Sequence, residues 1–174
     1  AETAHAIDAV LSFLDEPPLP DGELEAFLDA IQPEWRHLPN GRVFNAAEVN
    51  DVESTEMVRQ ALVSDEQILP FVYLRRDRRG RTASFAEYVD LLYEQGHIER
   101  VHVGGANTRA FAENTDLPVT RHEGGAEAEA VLNDLLAVGD PVVIMGNTVD
   151  EFMREFEQAV RTQEQQLKES VTPT

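Results

Sequence analysis

The sequence contains no cysteine, which excludes disulfides and every metal site built on thiolates. That usage fits an intracellular, cytoplasmic chain. Lysine is almost missing too: Lys168 is the single example, and every other base is an arginine. No apolar run approaches the roughly 20 residues a membrane-spanning helix requires. Ala1 to Asp15 has no basic segment leading an apolar one, so it is not read as a signal peptide. It opens directly in a helical pattern, as expected of a piece cut from a longer chain. Neither a GxxxxGK[ST] phosphate loop nor a Ser-His-Asp or zinc signature is present. The histidines His5, His37, His97, His102 and His122 lack metal-ligand spacing and read as structural or surface residues.

Acid is what the chain has in excess. Its 174 residues carry 33 Asp and Glu against 14 Lys and Arg, a net charge of −19. The summed field therefore opposes direct binding to nucleic acid or to an anionic membrane. The pattern fits molar salt, where the Debye length shrinks to about 3 Å and dense carboxylates hold water and cations without strong mutual repulsion. An apolar fraction of 42% and this length suit one ordinary folded domain with a small appendage.

Periodicity supplies the architecture. Ile7, Val10, Leu11 and Leu14 recur at helical spacing, and so do Leu24, Phe27, Leu28 and Ile31 beyond a proline-rich break. Trp35, beside Pro33, reads as a packing anchor at a domain junction. After the Pro39-Asn40-Gly41 turn, strands and helices alternate. Strands are expected over 42–49, 68–74, 97–103, 118–122 and 141–145, with helices at about 54–64, 84–95, 108–113, 126–136 and 149–168. The result is an α/β fold: a mostly parallel sheet with helices on both faces, preceded by two helices.

In such sheets ligands gather beyond the carboxyl ends of the strands. The loop after the first strand holds Asn50, Asp51 and Ser54; the last two could simply cap a helix. After the second strand come Arg75, Arg76, Arg78, Arg79 and Arg81, within seven residues of a strongly acidic chain. Guanidinium forks grip carboxylates and phosphates bidentately, so this loop reads either as an anion clamp or as a charged turn paired to nearby acids. Gly104-Gly105-Ala106-Asn107-Thr108 is expected to turn tightly into a helix, and Gly146-Asn147 leaves the last strand.

These segments resemble, in order, the carboxy-terminal domain of capsule-type poly-γ-glutamate synthase ligases of the Mur ligase superfamily. The resemblance rests on the Asn-Asp-x-x-Ser-Thr core within Asn45–Thr55, on Arg75-x-Asp77-Arg78-x-x-Arg81-Thr82-x-x-Phe85, and on Gly146-Asn147. Other Mur-type ligases, such as folate or peptidoglycan ones, typically carry an Asp-x-x-His-x-Pro pattern where this chain reads Asn50-Asp51-Val52-Glu53-Ser54.

The resemblance implies a Rossmann-like domain over 41–174, with 1–40 a helical remnant or linker of the preceding central domain. It implies that family members use ATP and Mg²⁺ to phosphorylate a carboxylate, which an incoming amine then attacks. The phosphate loop lies on the central domain, so these residues are not expected to catalyse alone. Arg75, Arg78, Arg81 and Asn147 would bind glutamate or a γ-glutamyl chain. Asn50, Asp51 and Ser54 would face nucleotide and the central domain. Membrane subunits of a synthase complex are further partners the resemblance implies. The rival reading is a non-catalytic Rossmann-like module that captures an acidic metabolite or protein through its arginines.

Overall fold

Leu69 to Leu74 are six consecutive buried residues, the signature of a strand covered on both faces. The computed structural model describes residues 34–46, 51–63, 66–146 and 150–171. Both expected amino-terminal helices, and the chain ends, lie outside them. The described elements are β1 (Arg36–Leu38), β2 (Gly41–Asn45), α1 (Val52–Leu62), β3 (Leu69–Leu74), α2 (Arg79–Glu94), β4 (Val101–Gly105), α3 (Thr108–Ala112), β5 (Val119–Arg121), α4 (Ala128–Leu136), β6 (Val142–Gly146) and α5 (Glu151–Val171). No described helix is long and apolar enough to cross a membrane.

The six strands form one sheet in the order β1-β2-β6-β3-β4-β5. Only β1 runs antiparallel, against β2; every other pairing is parallel. β1 lies ahead of residue 40, where the sequence drew a boundary, and belongs to the same sheet. Alternate residues of β3 feed two separate cores, as the two-residue period of a strand demands. Val72 and Leu74 pack with Phe85, Val89 and Leu92 of α2 and Phe111 of α3. Phe71 and Tyr73 pack with Leu132 and Leu135 of α4 and with Met153 and Phe156 of α5. Helices therefore cover both faces, in agreement with the expected α/β class.

The strand order creates a switch point. β6 lies between β2 and β3. The chain leaves β2 and β3 toward the α1–α2 face, and leaves β6 toward the α5 face. At the carboxyl ends of these three strands a crevice must open, and doubly wound sheets use that place for ligands.

The boundaries of α2 and β4 are among those that differ from the sequence reading. α2 begins at Arg79 rather than near residue 84, so Arg81 sits in the first helical turn and not in a loop. The apolar rhythm of this helix starts only at Thr82 and Phe85, which hides its charged opening turn. β4 begins at Val101 and ends on Gly104 and Gly105, the pair expected in the turn. A Cβ on Gly104 would come within 3.0 Å of the Phe71 ring, so glycine lets β4 lie against that aromatic cluster.

Candidate functional site at the carboxyl edge of the sheet

Asp51 begins α1. Its Oδ1 accepts the Ser54 amide at 2.8 Å and its Oδ2 accepts the Ser54 hydroxyl at 2.9 Å. Thr55 Oγ1 donates to the Asp51 carbonyl at 2.7 Å. This is an N-cap, satisfying donors that the first helical turn leaves open. The Ser54 bonds hold the Asp51 carboxyl below the usual carboxylate range, and the charge of Arg81 adds to the effect. Asp51 and Arg81 meet across a shallow cleft of about 450 Å³, also lined by Val52, Glu53, Ser84 and Phe85. Of the residues singled out in sequence, the structure thus brings Asp51, Ser54 and Arg81 to one place. Asn50 and Asn147 lie outside the described residues.

Arg75 and Arg78 occupy the turn between β3 and α2. The Arg75 guanidinium donates through Nε and Nη2 to the two carboxylate oxygens of Asp77, at 2.9 and 3.0 Å. Arg78 Nε lies 3.8 Å from the same carboxylate. Asp77 is held below its ordinary range, chiefly by Arg75. All three side chains are at least a third exposed, so the pairing is weak and screened. Two guanidinium groups thus converge on one carboxylate of their own turn, one of them bidentately, which is the pairing expected of a charged turn.

Neighbouring turns press on it. Ala106 N donates to the Leu74 carbonyl at 2.8 Å, and Asn107 Nδ2 donates to the Arg75 carbonyl at 3.2 Å. Gly146 closes β6 at φ +100°, where a Cβ would stand 2.4 Å from the Tyr73 carbonyl oxygen. The Tyr73 hydroxyl is bonded to Asp150, and burial together with that bond pushes its pKa up. Asp150 Oδ1 also accepts the Met153 amide at 3.0 Å, which ties the start of α5 to the carboxyl end of β3.

Sequence reading missed the roles of Asn107 and Asp150, whereas Asp77 pairs with Arg75 and Arg78 as a charged turn would. Asn107 alone carried a signal, since asparagine is among the few residues that tolerate a left-handed turn. Among the described residues no three metal-ligating side chains converge, and both Asp51 oxygens are engaged by Ser54. His102 and His122 pair with each other, their Nδ1 and Nε2 atoms 3.0 Å apart.

Fold and edge together define a doubly wound α/β domain whose polar turns collect at the carboxyl ends of its central strands. The family model described as the poly-gamma-glutamate synthase CapB C-terminal domain matches residues 36–163, and the chain belongs to that family. No curated protein matches it.

Proposed function

We propose that this domain binds and orients a carboxylate-bearing substrate of amide ligation, glutamate or the end of a γ-glutamyl chain, at the carboxyl edge of its sheet. One observation carries the reading: Arg75 and Arg78 converge on a single carboxylate beside the switch point, in a chain whose net charge is −19. So concentrated a positive turn on so acidic a surface favours an anion there and little elsewhere.

In this reading Asp77 stands in for a substrate carboxylate, and the ligand takes its place between the two guanidinium groups. Arg81 adds positive charge at the neighbouring cleft, opposite Asp51. Their work is electrostatic and positional, holding the acceptor so that its amine is correctly aimed. Carboxylate activation, with ATP and Mg²⁺ and through an acyl phosphate, belongs in this proposal to the central domain of the ligase. Closure of that domain over the carboxyl edge would bring Asp51 and Ser54 to the joint face.

Calorimetric titration in molar KCl tests the proposal. L-Glutamate and short γ-glutamyl peptides are titrated into the 174-residue chain and into Arg75→Ala/Arg78→Ala. The double variant is expected to bind at least about tenfold more weakly, the cost of losing charge-assisted hydrogen bonds. Equal binding by a folded double variant, or no binding by the parent chain, sinks the reading.

A further inference from the structure

We propose that Asn107 is a positioning residue for the arginine turn, fixing the main chain from which Arg75 and Arg78 reach a carboxylate. The inference rests on the function proposed above for that turn. Asn107 is the one non-glycine residue at positive φ among the described residues, at φ 61°. Asparagine tolerates that conformation better than most side chains, but it still needs a local reason. The reason is visible in its bonds. Its side-chain amide donates to the Arg75 carbonyl at 3.2 Å, while its own carbonyl accepts the Phe111 amide at 2.9 Å. One residue thus clips the opening turn of α3 to the start of the arginine turn.

The Arg75 carbonyl is where that clip matters. Leu74 pairs with Gly105 at the end of the β3–β4 ladder, and Ala106 N continues the contact to the Leu74 carbonyl. Arg75 is the first residue past this ladder. Within the turn, its carbonyl accepts only a long bond of 3.4 Å from the Arg78 amide. At the far end, the Thr82 amide reaches the Arg78 carbonyl at 3.3 Å. Asp77 holds the two guanidinium groups, but it belongs to the turn and moves with it. Asn107 is the tie from a neighbouring strand-to-helix connection. Close packing keeps the distance short: a Cβ on Gly105, at φ +79°, would fall 2.3 Å from the Leu74 carbonyl oxygen.

The test is a double-mutant cycle. Asn107→Gly keeps the backbone conformation and removes the amide; Asn107→Asp keeps the size and sets a carboxylate against the Arg75 carbonyl. Both are titrated with a γ-glutamyl peptide, in the parent chain and in an Arg75→Ala background. Losing one neutral hydrogen bond predicts about fivefold weaker binding for Asn107→Gly, with the aspartate variant weaker still. In the Arg75→Ala background the effect of the glycine change should shrink, because only Arg78 is left to be positioned and coupled residues are not additive. Unchanged binding by Asn107→Gly overturns the proposal. So does a loss that persists undiminished without the Arg75 side chain.

Should the parent chain bind no peptide, the function proposed above fails, and positioning is judged on the turn alone. Hydrogen exchange at the Arg78 amide is then the readout. Faster exchange in Asn107→Gly, at an unchanged melting temperature, upholds the clip; an unchanged rate overturns it.

Discussion

The Tyr88 hydroxyl donates to Glu56 Oε2 across 2.6 Å, joining α2 to α1, the two helices that flank the carboxyl-edge cleft. Glu56 is also gripped by Arg59, whose Nε and Nη2 each donate at 2.7 Å, and by Gln60 at 2.7 Å. Arg59 is only 4% exposed, so its charge depends on this partner. Chiefly through Arg59, the Glu56 carboxyl is held down to about 2.

Removing one member of that group should cost more than removing the pair. Arg59→Met leaves Glu56 facing Tyr88 without its guanidinium and is expected to lose about 2–4 kcal/mol. Adding Glu56→Gln to the same chain should recover much of the loss, because the amide oxygen still accepts from Tyr88 and neither side chain then needs a counter-charge. Urea unfolding of the single and double variants measures both. A double variant no more stable than Arg59→Met contradicts the argument.

Backbone shape at the end of β6 gives a second expectation. Gly146 sits at φ +100° with the Tyr73 carbonyl oxygen 2.4 Å from where a Cβ would be. Gly146→Ala combines a strained conformation with a main-chain clash that no side-chain rotation relieves, and should cost about 2–4 kcal/mol. Gly124 is the control: nothing lies within 4 Å of its would-be Cβ, and its φ is not positive. Gly124→Ala should stay within about 0.5 kcal/mol of the parent chain. Thermal melts of the two variants decide, and similar losses at both glycines would defeat the steric account.

How much of this was legible follows from the kind of signal each residue sends. Leu69–Leu74 and Val142–Met145 announce buried strands by composition, and the alternation of strand and helix fixes the parallel sheet. The opening of α2 was hidden because Arg79 to Arg81 carry no apolar rhythm, and its N-cap Arg78 makes no capping side-chain bond. At the candidate site, the arginine cluster stood out by charge. Its partners did not: the bond from Asn107 to Arg75 spans 32 residues, and the Tyr73–Asp150 contact joins the end of β3 to the start of α5, which only the sheet order brings together. Local sequence encodes conformation; it does not encode which loops meet.

Salt should stabilise the fold. With 33 acids against 14 bases, repulsion outweighs attraction, and raising KCl from about 0.1 M to 1 M shortens the Debye length from about 10 Å to about 3 Å. Ion pairs on the surface lose strength over the same range. Pairs such as Arg109–Glu113, at 81% and 60% exposure, contribute too little to reverse the balance. The melting temperature is therefore expected to rise steadily with KCl. A flat or falling curve would mean that the ion pairs outweigh the net charge, and would remove the case for adaptation to high salt.

Acid should act through the histidine pair before it reaches Glu56. One ring of His102 and His122 donates to the other, and the Phe71 ring meets His122 edge-on at 5.9 Å. Burial, the neighbouring His122 and Arg100 lower the His102 pKa to about 4, against a weaker pull upward from Asp134 on α4. Burial lowers His122 too, again opposed by Asp134. Between pH 6.5 and about 4 the unfolded chain therefore binds a proton at His102 that the folded chain refuses. Stability is fully present above that window and is lost as pH falls through it, by about 3 kcal/mol for His102. Glu56 acts lower, between 4.5 and about 2, where its protonation in the unfolded chain removes the gain from Arg59. Urea midpoints taken from pH 7.5 down to pH 3 should thus decline in two stages. His102→Gln, which cannot take up a proton, should shrink the upper stage to what His122 supplies and leave the lower one. An upper stage that survives unchanged in that variant would place the titrating group elsewhere.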